Sequence, residues 1–416
     1  MIQILPEHSR LHEEAARSQD MSYYMRPGGL QFAALPPLSL YVHLPWCLRK
    51  CPYCDFNSHA LSPSDWLQMS YINALIADLD AALPLVWGRS VQSVFLGGGT
   101  PSLFSPQAID SLLSCLRSRL PLAAGCEISM EANPGTFEKD RFKAYRAAGV
   151  TRLSIGVQSF NTSFLKVLGR VHNGEQALAA VQEASEAFDT INMDLMYALQ
   201  GQSLANWRQD VSTALTFNPA HISIYHLTIE PNTVFAKFPP ALVADDLTAD
   251  MLDLVNEETA AKGLNRYEVS AFAKSGHRCL HNLNYWEFGD YLGIGAGAHS
   301  KITFAHRVMR QARFREPERY MSQAFAGAAV AKEEEVSRAA LGFEFMLNAL
   351  RLKDGFPANL YCQRTGLPLS TIEPALDQAK QRGLLVQDWE KIIPTERGFD
   401  FLNDLLELFL PAERDT

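Results

Sequence analysis

From residue 38 onward the chain alternates between two hydrophobic patterns. Short runs rich in β-branched and aromatic residues read as strands: LSLYVHL, VQSVFLGG, CEISMEA, RLSIGVQSF, INMDLMYAL and HISIYHLTI. Between them, stretches such as SYINALIADLDAALPLV, PQAIDSLLSCLRSRL and EQALAAVQEASEAF repeat their apolar residues at helical intervals. Strand followed by helix, repeated, is the pattern of parallel βα units. About six units fit between residues 38 and 230, too few for a closed eight-unit barrel, which leaves an incomplete barrel or an open sheet.

Residues 1–37 keep no period and end in LPP, so they read as a tail, with Met1, Met21 and Met25 all candidate starts. The region 38–270 is the βα core. A connecting segment, 271–330, is aromatic and glycine-rich (HNLNYWEFGDYLGIGAGAHS). The remainder, 331–416, holds the amphipathic helix SRAALGFEFMLNALRL, a helix-turn-helix, the hairpin LLVQDWEKIIPT and the helix FDFLNDLLELFL. That order is winged-helix-like and predicts a smaller, mainly helical domain. A packing role without DNA contact is expected for it, because fold alone does not give function.

The polar and glycine-rich signals fall at one edge. CLRKCPYC follows the first run, GGGTP the second, EANPGT the third and QSFN the fourth; Asp194 lies within the fifth. Parallel αβ folds bind ligands at the carboxyl ends of their strands, where the loops converge.

Composition narrows the class. Apolar residues make up 47% and charged residues 20%, as in a soluble protein with a large core. The net charge of −9 argues against broad phosphate-driven nucleic-acid binding. No apolar run approaches the roughly 20 residues that span a bilayer, and the first residues lack a signal peptide's apolar stretch. A cytoplasmic protein is expected, with peripheral attachment to a membrane left open.

Three of the seven cysteines crowd together as Cys47, Cys51 and Cys54, in the form C-x3-C-x2-C. Cys115, Cys126, Cys279 and Cys362 are scattered and read as small hydrophobes. Thiolates suit zinc or iron–sulfur clusters. Zinc would want a fourth ligand, for which His43 and His59 lie nearby. A cluster on three thiolates keeps one iron open to a chelating cofactor, and the spacing favours that reading.

C-x3-C-x2-C with an aromatic residue before the last cysteine resembles the radical SAM superfamily. YVHLPWCLRKCPYCDFNSH, together with GGGTP, is similar to its HemN/HemW branch, which contains oxygen-independent coproporphyrinogen III oxidase and a related heme chaperone. The resemblance runs from about residue 38 to near the C-terminus. It implies a partial (β/α)6 TIM-type barrel, a [4Fe–4S] cluster on the three cysteines, and S-adenosylmethionine chelating the open iron. Electron transfer to that sulfonium would yield a 5′-deoxyadenosyl radical. Tyr41, Gly98, Gly99, Thr100, Glu131, Gln158, Arg170 and Asp194 match the family's S-adenosylmethionine positions. A lone carboxylate such as Asp194 inside an apolar run is independently expected to be paired or functional.

Two features separate the members of that branch. The oxidase has a further cysteine two residues after the third ligand, where this chain has Phe56. His281-Asn282-Leu283-Asn284-Tyr285-Trp286 matches the H-N-x-x-Y-W motif of the chaperone side, which implies heme binding involving His281, Asn282, Tyr285 and Trp286. His299 is a weaker candidate ligand, and His226 and Glu230 are candidates to line the same cavity. The expected function is therefore heme carriage to acceptor hemoproteins such as respiratory enzymes, with a flavodoxin or ferredoxin as electron donor if the cofactor is cleaved. Oxidative decarboxylation of coproporphyrinogen III and a zinc-stabilised interaction protein are the competing readings.

Overall fold

The computed structural model describes residues 30–61, 68–135 and 140–411. The tail up to residue 29, with its three candidate starts, lies outside the described residues. The central sheet has twelve strands. They are β1 (Leu38–Leu44), β2 (Val91–Gly98), β3 (Leu122–Ala132), β4 (Arg152–Gln158), β5 (Ile191–Tyr197) and β6 (His221–His226), then β7 (Asn265–Arg266), β8 (Ala271–Ala273), β9 (Asp290–Ile294), β10 (His299–Thr303), β11 (Val308–Arg313) and β12 (Val330–Glu335). Their order is β12-β11-β10-β9-β1-β2-β3-β4-β5-β6-β8-β7.

β1 to β6 lie side by side, all parallel and in chain order, as the six βα units of the pattern and the partial (β/α)6 barrel implied by the resemblance require. β9 adds a further parallel strand beside β1. β10, β11 and β12 extend that edge antiparallel, and β8 pairs antiparallel with β6. The aromatic and glycine-rich stretch after residue 270 thus contributes strands to the same sheet as the core.

Strand geometry explains why the runs looked apolar yet hold polar residues. Successive side chains point to opposite faces. Leu38, Leu40, Val42 and Leu44 of β1, with Val94, Leu96, Met130, Leu153 and Met193, form one core with the surrounding helices. The alternate positions face the barrel interior and join one another across strands. Ser39 meets Ser93 at 2.8 Å, Ser154 donates to Asp194 at 3.0 Å, and His221 Nδ1 meets Asn192 Oδ1 at 2.6 Å. The interior is therefore buried and polar, a lining that needs either its own partners or a ligand.

Helices α1 (Gln68–Ala82), α2 (Pro106–Arg119), α3 (Asp140–Ala148), α4 (Gly174–Ala187), α5 (Leu204–Thr216) and α6 (Asp245–Ala260) cover the sheet. Several begin at caps written in the sequence: Ser105 accepts from the Ala108 amide, and Asn173 with Gln176 forms a capping box. The helical stretch Gln68–Val86 is long and apolar enough by composition to cross a membrane. Its Tyr71, Ile72, Leu75 and Leu79 are wholly buried in the core, which accounts for that apolarity.

The C-terminal part builds a second core around Leu341, Phe345, Phe356, Tyr361 and Ile392. Its small sheet pairs Phe356–Pro357 and Leu385–Gln387 with Lys391–Pro394, the expected hairpin included. Phe345 meets Phe288 of the barrel region at 5.8 Å, so the two cores touch.

Candidate functional site

The cysteine loop leaves the carboxyl end of β1. Trp46–Cys47 pairs with His59–Ala60, and the amide of Leu61 donates to the Cys47 carbonyl at 2.8 Å, so the loop is closed at its base. Tyr53, the aromatic residue before the last cysteine, packs beside Phe235 at 6.5 Å, within a small cluster that includes Met196 and Leu227. Asn57 fastens the far side by donating to the carbonyls of Ala296 and Arg315 at 2.9 and 2.8 Å. The loop is thus anchored at several points while the three half-buried sulfurs face inward donors. Thr100 Oγ1 lies 3.5 Å from Cys47 Sγ, Arg170 Nη1 3.6 Å from Cys51 Sγ, and Ser58 Oγ 3.7 Å from Cys54 Sγ. Burial pushes the Cys47 thiol up to about 11, so a metal must displace its proton on binding.

The glycine run has a physical reason. Gly98 holds φ +110°, and a Cβ there would sit 2.3 Å from the His43 ring. At Gly99 a Cβ would lie 2.6 Å from the Trp46 carbonyl oxygen. Without side chains the two loops lie flush: Gly99 N–H donates to Leu44 O at 2.9 Å and Thr100 N–H to Trp46 O at 2.7 Å.

His43 is not free to complete a zinc site. Its Nε2 lies 2.8 Å from the Asn57 carbonyl, which can only accept, so Nε2 carries the proton. Nδ1 is then the acceptor for the Tyr41 hydroxyl at 3.0 Å, and this is where the structure commits Tyr41. Among the described residues no three His, Cys, Asp or Glu side chains are gathered to hold one metal ion. A small cleft of about 20 Å³ lies among Leu48, Cys51, Thr100, Asn133, Gly169 and Arg170.

Glu131 and Asp194 reach the same interior from β3 and β5. Burial, and then the neighbouring charge of Asp194, pushes Glu131 up to about 7, although its Oε2 accepts from the Gly98 amide at 2.9 Å. Burial likewise pushes Asp194 up to about 6 against its bonds from Asn192 and Ser154, at 2.8 and 3.0 Å. Gln158 ends β4 in the left-handed region at φ 65°, and its buried Oε1 has no hydrogen-bond partner. Strain plus an unsatisfied acceptor in one side chain indicates a ligand-facing group. These observations fit a cofactor bearing an ammonium group and hydroxyls, as S-adenosylmethionine does.

The other expected set is not assembled there. His281, Asn282, Tyr285 and Trp286 lie on α7 (Leu280–Trp286), against the amino-terminal halves of the inner strands. His281 is buried, stacked on Phe95 at 4.9 Å, with Nδ1 3.1 Å from Ser93 Oγ. Burial lowers its pKa to about 3, keeping the ring neutral. The amide of Leu280 donates to Glu127 at 3.0 Å, and Trp286 lies under the Arg351 guanidinium at 4.3 Å. The motif therefore plugs the barrel in this arrangement, with no face of His281 open to a macrocycle. His299 is exposed at the start of β10; His226, also exposed, ends β6 beside Tyr197 at 5.3 Å; Glu230 follows it, half-buried.

Sequence reasoning missed Asn57, Asn133 and the bracing role of the loop 293–298. In that loop, the Tyr71 hydroxyl accepts from the Ala296 amide at 2.9 Å, and the Tyr320 hydroxyl from the Gly295 amide at 3.0 Å. Its glycine density was the available signal.

Residues 41–214 match the family model of the Radical SAM superfamily, and residues 336–401 that of the HemN C-terminal domain. Among curated proteins, the heme chaperone HemW of Escherichia coli is 48% identical, over 90% of this chain and 99% of its own length. The heme chaperone HemW of Haemophilus influenzae is 44% identical over 91% and 99%. Among solved structures, the coproporphyrinogen III oxidase HemN of Escherichia coli superposes with a TM-score of 0.77 at 22% identity, covering 95% of this chain and 99% of that one. That last likeness speaks to the fold alone.

Proposed function

Because this chain belongs to the HemW family of the radical SAM superfamily, we propose that it is a heme chaperone, binding heme and passing it to acceptor hemoproteins, respiratory enzymes among them. The observation that carries this reading is near full-length similarity to heme chaperones at 48% identity. Phe56 supports it locally. It occupies the position where the oxidase resemblance calls for a further cysteine, and it is 60% exposed, so no thiol is offered there.

In this reading Cys47, Cys51 and Cys54 hold a [4Fe–4S] cluster, and S-adenosylmethionine occupies the interior beside it. Gly98, Gly99 and Thr100 line the cofactor's amino end, and Arg170, whose terminal nitrogens are taken up by Cys51, Asn133 and the Gly156 carbonyl, offers its Nε–H to the carboxylate. Glu131 and Asp194 accept from its hydroxyl and ammonium groups once ionised, and Gln158 offers its unpartnered oxygen. When bound, the cluster supplies one-electron chemistry to that cofactor. The surrounding residues orient it and exclude water; a flavodoxin or ferredoxin is the electron source in this scheme, and the cytoplasm its setting.

Heme is the cargo. His281, buried against Phe95 with its Nε2 unpartnered, packs the H-N-x-x-Y-W motif into the barrel in the heme-free protein. The second reading, oxidative decarboxylation of coproporphyrinogen III, is favoured by the overall fold. One anaerobic experiment separates the two. The purified protein should bind hemin on titration and should leave coproporphyrinogen III unchanged in the presence of S-adenosylmethionine and a reductant. Accumulation of protoporphyrinogen IX would reverse the order of the two readings.

A further inference from the structure

Three side chains form a hydrogen-bonded chain between two of the cysteine sulfurs. Arg170 Nη1 points at Cys51 Sγ (3.6 Å) and Nη2 donates to Asn133 Oδ1 at 2.5 Å. Asn133 Nδ2 donates to Thr100 Oγ1 at 2.8 Å, and Thr100 Oγ1 lies 3.5 Å from Cys47 Sγ. The direction of this chain follows from chemistry. A guanidinium only donates, so the Asn133 oxygen must face Arg170 and its amide must face Thr100. That amide occupies a lone pair of the Thr100 oxygen, which leaves the hydroxyl proton to point at Cys47. Both ends of the chain therefore donate to sulfur.

The surroundings are built to admit Asn133. A Cβ on Gly156 would come within 2.7 Å of its Oδ1, and the Gly156 carbonyl accepts from Arg170 Nη2 at 2.8 Å. All three side chains, with Cys51, also line the cleft beside the cysteine loop.

We propose that Asn133 is a positioning residue for the iron–sulfur cluster, setting the polarity of the Arg170–Asn133–Thr100 chain so that two ligand thiolates each receive a hydrogen bond. The inference rests on the assignment of a cluster to Cys47, Cys51 and Cys54. Hydrogen bonds to thiolate sulfur stabilise the more electron-rich reduced state and so raise the reduction potential. Asn133→Asp removes the amide that donates to Thr100 Oγ1 and adds an acceptor, so the Thr100 hydroxyl turns from Cys47 toward the new carboxylate.

The test is a reductive titration of the reconstituted cluster followed by electron paramagnetic resonance, in a double-mutant cycle. Thr100→Val in the wild-type background lowers the potential by enough to change the oxidised-to-reduced ratio about tenfold, ~59 mV for one electron. In the Asn133→Asp background, already shifted downward, the same Thr100→Val change has no further effect. Equal Thr100→Val shifts in both backgrounds, or an unmoved potential in Asn133→Asp, would overturn the proposal. If Asn133→Asp retains no iron, Asn133→Ala carries the cycle, again with a diminished Thr100→Val effect; an undiminished one overturns the proposal. A wild-type chain that takes up no iron would overturn the cluster assignment itself and this inference with it.

Discussion

The two ends of the barrel strands are both buried and polar, yet they are built differently. At the amino-terminal end the polar groups mostly answer one another. Arg152 Nη1 lies 3.5 Å from Glu127 Oε2, Glu127 also accepts from the Leu280 amide at 3.0 Å, and His221 sits between Asn192 and Tyr267 at 2.6 and 2.9 Å. At the carboxyl-terminal end the residues are held under tension with capacity to spare. Gln158 is strained and unpartnered at Oε1, two carboxylates face one interior, and Cys51 lines a small cleft. Helix α7 closes the first end; loops leave the second open. Both ends keep unpartnered buried atoms, His281 Nε2 and Trp286 Nε1 at the first and Gln158 Oε1 at the second; what sets the second apart is that strain, two carboxylates and the cysteine loop meet there.

The largest effect that sharpens this contrast is expected from Glu127→Ala. It strands Arg152, only 5% exposed at its side chain, and costs about 3–5 kcal/mol of stability. Chemical denaturation should show that loss, while the iron content of the remaining folded protein is unchanged. Iron loss in proportion to the destabilisation would mean the two ends are not separable.

A medium effect comes from pH at the open end. Glu131, raised to about 7, accepts hydrogen bonds at both oxygens only when ionised. S-adenosylmethionine affinity should therefore rise about tenfold from pH 6 to pH 8, read by calorimetry. A Glu131→Gln variant should flatten that profile. The linkage has the opposite sign for the cofactor-free fold. A carboxyl raised from 4.5 contributes stability below that value and loses it as pH climbs toward 7.

The smallest effect tests the strain itself. Gln158→Gly relieves the left-handed backbone at φ 65° and should stabilise the cofactor-free protein by about 1 kcal/mol. The same change should weaken S-adenosylmethionine binding. A gain in stability with unchanged binding would remove Gln158 from the site.

Much of this was legible before the fold. The six βα units were readable because each strand buries its apolar face against helices, and the site edge because loops after parallel strands converge. The cysteine and glycine motifs were local in sequence and local in space. What stayed hidden depends on distant contacts. Asn57 is braced by Ala296, 239 residues away, and Asn133 mattered only once Arg170, 37 residues on, came beside it. The H-N-x-x-Y-W motif was visible, but its burial was not, since Phe95 and Ser93 on β2 supply the surface it covers.

The central claim is that the open end holds a cluster on three thiolates. Anaerobic reconstitution with iron and sulfide, followed by metal analysis and absorption, tests it directly. The account predicts about four irons per chain and a broad band near 400 nm, on the scale familiar for such centres, with both lost in Cys51→Ala. Stoichiometric zinc with no iron after the same treatment would contradict it.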